Sequence, residues 1–122
     1  ILIIIARQNN KIVAGALNFI GNDTLYGRNW GSIVNIPFLH FELCYYQAIE
    51  YAIDNNIRIV EAGAQGHHKI QRGYIAETIY SSHLIQNQSF AKAVRNFVQL
   101  EAKEIDKQIQ LINGQGSPYS NI

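Results

Sequence analysis

The chain has 122 residues, is 48% hydrophobic and 16% charged, and carries a formal charge of +1, which suits one soluble globular domain with a core of its own. Its single cysteine, Cys44, excludes an internal disulfide framework and a thiolate-rich zinc site. No apolar run approaches the roughly 20 residues that span a bilayer, and the charge is too balanced to advertise nucleic-acid or anionic-membrane binding by the chain as a whole, so any such binding must be local.

Residues 1–7 are β-branched and short, 8–11 form a polar turn, and 12–20 are apolar again, which predicts two strands joined tightly. Gly21-Asn22-Asp23 is the next turn signal, and 24–30 supplies a third strand of an antiparallel meander. Residues 32–39 read as irregular, with Pro37 biasing Ile36 away from the helical region. From His40 the apolar residues Phe41, Cys44, Tyr45, Ala48, Ile49, Ala52 and Ile53 recur at helical spacing, opposite Glu42, Tyr46, Glu50 and Asp54, and Asn55-Asn56 closes the helix. Residues 57–62 read as a strand parallel to a neighbour, reached by that helical crossover. A glycine-rich loop over 63–73 follows, then a strand over 78–85, a long helix over 89–112 and a frayed tail over 113–122. The sum is a β-β-β-α-β-β-α chain, an α/β fold with a mixed sheet and a long C-terminal helix, in one domain over 1–112. The absence of methionine and a start inside the apolar run Ile1 to Ala6 lead us to expect a domain of a longer protein, with Ile1 to Ala6 as an edge strand open to self-association.

Four groups could carry chemistry. The loop Gly63-Ala64-Gln65-Gly66-His67-His68-Lys69-Ile70-Gln71-Arg72-Gly73 contains three glycines, two histidines and two cations with no acid, which is how a loop after a strand builds an anion site; the competing reading is a solvated surface loop. Glu61 shares a strand face with Ile57 and Ile59, a face expected to point at the core, where a carboxylate could act as a general base or pair with a nearby cation. His40, His67, His68 and His83 lack any metal-ligand spacing, so no metal is expected; His40 sits at a helix start, with Glu42 in the first turn. The run Tyr26-Gly27-Arg28-Asn29-Trp30-Gly31 suits either a groove where a ligand approaches the backbone or a strand end closed by Trp30. Cys44, on the apolar stripe, reads as a packing thiol, and of Tyr45 and Tyr46 one ring should be core and the other available.

Leu25-Tyr26-Gly27-Arg28-Asn29-Trp30-Gly31, Phe38-Leu39-His40-Phe41-Glu42-Leu43-Cys44-Tyr45-Tyr46-Gln47, Glu61-Ala62-Gly63-Ala64-Gln65-Gly66 with Lys69 and Arg72-Gly73, and Tyr80-Ser81-Ser82-His83 together resemble the bacterial FemAB-like family, linked to peptidoglycan biosynthesis or recognition, within the GNAT-like acyl-CoA N-acyltransferase superfamily. The resemblance runs from about Ile12 to Arg95 and is to the C-terminal portion of longer proteins. It implies a GNAT-like fold and an N-acyl or aminoacyl transferase acting in the cytoplasm on a cell-wall precursor, with acyl-CoA or aminoacyl-tRNA as donor and no permanently bound cofactor. It also implies catalytic roles among Glu61, His83 and Glu42, and ligand contacts from Arg28, Trp30, His40, Tyr46, Gly63, Gln65, Gly66, His68, Lys69, Arg72 and Ser81. Arg28-Asn29-Trp30-Gly31-Ser32-Ile33 half resembles the superfamily's pyrophosphate loop before a helix. The chain departs from the family at His67, where a Glu is usual, and lacks the usual prolines near Ala76 and Thr78. The alternative is a non-catalytic recognition or dimerisation module on the same fold, pairing as a homodimer.

Overall fold

In a computed structural model, which describes residues 1–63 and 66–115, the backbone of the first hairpin turns where two asparagines accept positive φ. Asn9 and Asn10 lie at φ 50° and 63°, so a two-residue turn closes β1 (Leu2–Gln8) onto β2 (Lys11–Ile20), with Gln8 opposite Lys11. β2 then pairs antiparallel with β3 (Thr24–Ser32), and β3 pairs parallel with the short β4 (Ile59–Glu61), giving a four-stranded mixed sheet in the order β1-β2-β3-β4. The Asp23 carbonyl accepts from the backbone N–H of both Arg58 and Ile59, each at 3.1 Å, and so seats the start of β4 against β3.

Between β3 and β4 the chain runs helically over 39–54, as α1 (Leu39–Phe41), a π-helical segment (Glu42–Tyr46) and α2 (Gln47–Asp54). Its end follows from Asn55-Asn56. Asn56 adopts φ 55°, the Ile57 N–H reaches the Ala52 carbonyl at 2.8 Å and the Asn56 N–H reaches that of Ile53 at 3.2 Å, the paired bonds of a left-handed helix cap. Asn55 Nδ2 adds a bond to the Tyr51 carbonyl at 2.9 Å.

The helix lies on Ala14 and Ala16 of β2 through Leu43, with Ile4, Ala6, Leu39 and Cys44 around them. Small residues on the strand let the helix approach closely, while Tyr45, Ala48, Ala52 and Leu25 are buried beside this cluster. Leu43 was not on the expected stripe. One extra residue per turn in the π segment widens the buried face beyond what 3.6-residue spacing predicts, so that Leu43 and Tyr45 are both buried.

Residues 1–63 make one compact unit, and the rest of the chain makes a second. In the second, α3 (His67–Ile70) is a single turn, and α4 (Gln88–Gly114) is capped by Asn87, whose side chain accepts from the Phe90 N–H at 3.0 Å. The expected strand over 78–85 does not form: 74–87 is neither helix nor strand. A strand requires a partner ladder, and among the described residues the second unit has no strand to supply one. Instead, Asn113 near the end of α4 exchanges two hydrogen bonds with the backbone of Ala76, at 3.0 and 2.8 Å. The 11 steps from there to Asn87 cover roughly 37 Å when extended, about the length of the 25 helical steps from Gln88 to Asn113. The connection thus runs back along α4 nearly fully stretched. The helix continues through Gly114, past its expected end; the remainder of the expected tail, 116–122, lies outside the described residues.

Candidate functional site

β2 and β3 lose register between Leu17 and Asn18: Leu17 faces Asn29, whereas Asn18 faces Gly27, leaving Arg28 as the extra residue of a β-bulge. At this point a cavity of about 260 Å³ opens in the first unit, lined by Ala16, Leu17, Asn18, Gly27, Arg28, Asn29, Trp30, His40, Cys44, Tyr45 and Ala62. The bulge and the glycine make the room. A Cβ on Gly27 would stand 3.4 Å from the Glu61 carbonyl oxygen, 3.7 Å from Asn18 Oδ1 and 3.8 Å from Ala62 Cα, in ordinary contact with two residues of the lining, Asn18 and Ala62. Gly27, Arg28, Asn29 and Trp30 of the run Tyr26 to Gly31 therefore line a groove, and Tyr26 and Gly31 are not among its lining residues.

The aromatic wall is built around His40. Its ring meets Trp30 edge-on at 5.2 Å, Phe41 at 5.5 Å and Tyr45 at 5.5 Å, while Phe41 and Tyr45 stack at 6.1 Å. Edge contacts of this kind fix ring orientation as well as bury area. His40 and Tyr45 are five residues apart, a spacing that the π segment brings to one face; its closing bond runs from the Gln47 N–H to the Glu42 carbonyl. Burial pushes the Cys44 thiol above its ordinary value, which suits a packing thiol in the cavity wall rather than a nucleophile.

The structure thus brings Arg28, Trp30 and His40 together. Tyr46 is exposed beside the buried Tyr45, the division expected of that pair. Glu42 is outside the cavity lining, its carboxylate accepting from Gln47 Nε2 at 3.0 Å. For Glu61 the expected geometry is reversed. The β4 face carrying Ile59 and Glu61 is the exposed one, and Val60, opposite Leu25, is the residue turned inward. The parallel register with β3 decides this, since Leu25 is the fully buried member of the pair. The segment Arg28 to Ser32 is likewise strand, with Trp30, Gly31 and Ser32 opposite Ala16, Gly15 and Ala14 of β2, rather than a loop leading into a helix.

The glycine-rich stretch divides. Gly63 ends the first unit at φ 74°, and Gln65 lies outside the described residues. In the second unit Gly66 takes φ 108°, and a Cβ there would come within 2.7 Å of the His68 ring. The amide groups of Lys69, Arg72, Gly73 and Tyr74 all donate to carbonyls between Gly66 and Ile70, so these N–H groups are spent inside the loop instead of lining an anion nest. Arg72 Nη1 also donates to the His68 carbonyl at 2.6 Å. Partial burial lowers the Lys69 ammonium below the usual lysine range. Further on, Ser81 Oγ and His83 Nε2 share a hydrogen bond of 2.9 Å at an exposed position. Among the described residues no group of three or more His, Cys, Asp or Glu is placed to hold a metal ion, and no helix is long and apolar enough to cross a membrane.

Of the lining residues, sequence reasoning missed Ala16, Leu17, Ala62 and the polar Asn18. The signal for Asn18 was a single carboxamide inside the otherwise apolar run 12–20.

The model of the FemAB-like family, described as peptidoglycan biosynthesis/recognition, matches residues 1–121 of this chain. No curated protein and no solved structure matches it.

Proposed function

The chain belongs to the FemAB-like family of peptidoglycan biosynthesis and recognition, and from that premise we propose that its first unit binds a cell-wall precursor in the cavity at the β2–β3 bulge. The observation that carries this reading is the composition of the lining: Arg28 is its one formally charged residue, in company with the aromatic residues Trp30, His40 and Tyr45, and no Asp or Glu is among the lining residues. A cationic, aromatic-walled cavity suits an anionic ligand with apolar stretches, such as a stem peptide.

A second reading, N-acyl or aminoacyl transfer onto that precursor, is favoured by the imidazole of His40 in the same wall. In such a transfer the acceptor amine attacks the donor's acyl carbonyl and a C–N bond forms. The bond to the donor's oxygen or sulfur breaks, and the proton lost by nitrogen goes to a base and then to the leaving group. In this reading His40, as a lining residue, takes that proton. Glu61, His83 and Glu42 remain the bases proposed from the family resemblance. The donor would be acyl-CoA or aminoacyl-tRNA, the setting cytoplasmic, and the active form a homodimer joined at the β1 edge.

Isothermal titration with a soluble muropeptide, acetyl-CoA and an aminoacyl-tRNA tests both readings. Heat with the muropeptide alone supports recognition, and heat with a donor followed by a new amide-linked product supports transfer. Silence with all three ligands overturns the proposal.

A further inference from the structure

Asn18 is 1% exposed, and with Leu25 it is one of the two largest fully buried side chains. It stands at the bulge, opposite Gly27, in the lining of the cavity. A carboxamide offers two N–H donors and an oxygen with two lone pairs. Among the described residues, that of Asn18 makes one hydrogen bond, a long one of 3.5 Å from Nδ2 to the Ala16 carbonyl two residues back. A leucine, branched in the same way, would suit an apolar strand without leaving polar atoms short of partners. The space over Oδ1 is kept by Gly27, whose missing Cβ would lie 3.7 Å from it.

We propose that Asn18 is the specificity residue of the cavity and that it reads an amide group of the bound molecule, its Oδ1 accepting from the ligand's N–H. This rests on the cavity being the binding site proposed above. A secondary amide presents the N–H donor that Oδ1 lacks. An ester of the same shape lacks the donor and leaves Oδ1 unmet, so the pair is discriminated by a single atom.

The test uses the whole chain and two probes. The Asn18 side-chain NH₂ signals are followed by NMR during titration with N-methylacetamide and, separately, with methyl acetate. The expected result is a saturable shift with the amide and at least about tenfold weaker binding of the ester, the loss of roughly one hydrogen bond. Equal response to both, or no shift at Asn18 with either, overturns the proposal. In parallel, Asn18→Leu should keep the folded circular dichroism spectrum and bind a soluble muropeptide about tenfold or more weakly. If the muropeptide fails to bind even the unmodified chain, the cell-wall reading fails while the fragment titration still decides the role of Asn18. If Asn18→Leu binds the muropeptide as the unmodified chain does, Asn18 is not the specificity residue.

Discussion

Gly27 and Cys44 show how single atoms govern the cavity. Gly27 has φ outside the left-handed region, so a methyl group there strains nothing in the backbone, and its contacts at 3.4 and 3.7 Å are ordinary. Restricting the unfolded chain should raise stability by about 0.4–1 kcal/mol, yet the new Cβ stands 3.7 Å from Asn18 Oδ1 in the cavity lining. Gly27→Ala is thus expected to hold or raise the Tm while weakening muropeptide binding in the same titration; a Tm loss with binding intact would contradict it. For Cys44, burial raises the folded pKa, so the unfolded chain releases that proton first. Its contribution to stability is complete below the ordinary thiol value of about 8.5 and declines as pH rises through the folded value. Urea midpoints measured from pH 7 to 10 should fall more steeply for the parent chain than for Cys44→Ala. Neither effect was legible from residue order alone: the helical stripe placed Cys44 in the core, but the cavity beside it exists because of a bulge that no local pattern announces.

At the level of elements, the π-helical segment is one residue inserted into a helix. Deleting the exposed Tyr46 makes the bond from Gln47 to the Glu42 carbonyl an ordinary i to i−4 bond and leaves Ala48 and Ala52 facing as they do now. We expect this deletion to keep the helical circular dichroism signal and to lower the Tm, because Leu43 and Tyr45 can no longer both be buried. Loss of muropeptide binding should accompany it, because Tyr45 no longer meets His40. Leu25 makes a second case. Fully buried on β3 and flanked by Ile20 and Val60, it should cost about 2–5 kcal/mol on replacement by alanine, read as a lowered urea midpoint with an unchanged slope. The hairpin, the meander, the helix end at Asn55-Asn56 and the long C-terminal helix were all readable, since each is specified by neighbours within a few residues. The facing of β4 and the fate of 78–85 were not, because a strand's face and its very existence depend on a partner elsewhere in the chain.

On the scale of the whole molecule, the apolar surface exceeds what the fold covers. β1 is an edge strand without charge or proline from Ile1 to Ala6, and Ile3 and Ile5 on its open face are 61% and 41% exposed, with Phe19 and Tyr26 exposed on the strands beyond. An edge of this kind invites pairing with a second copy. Sedimentation equilibrium is expected to show a dimer that Ile3→Lys converts to monomer without changing the circular dichroism spectrum; a parent chain that is monomeric at all concentrations removes the dimer from the proposed function. By itself the sequence determined the fold class, the order of most elements and the family, because turn chemistry, hydrophobic period and ordered motifs act over short spans of chain. Only the tertiary structure decided that Arg28, Trp30, His40 and the unforeseen Asn18 share one cavity while Glu42 and Glu61 stay outside its lining, since strand register and one inserted helical residue set which side chains meet, and both are fixed by long-range packing.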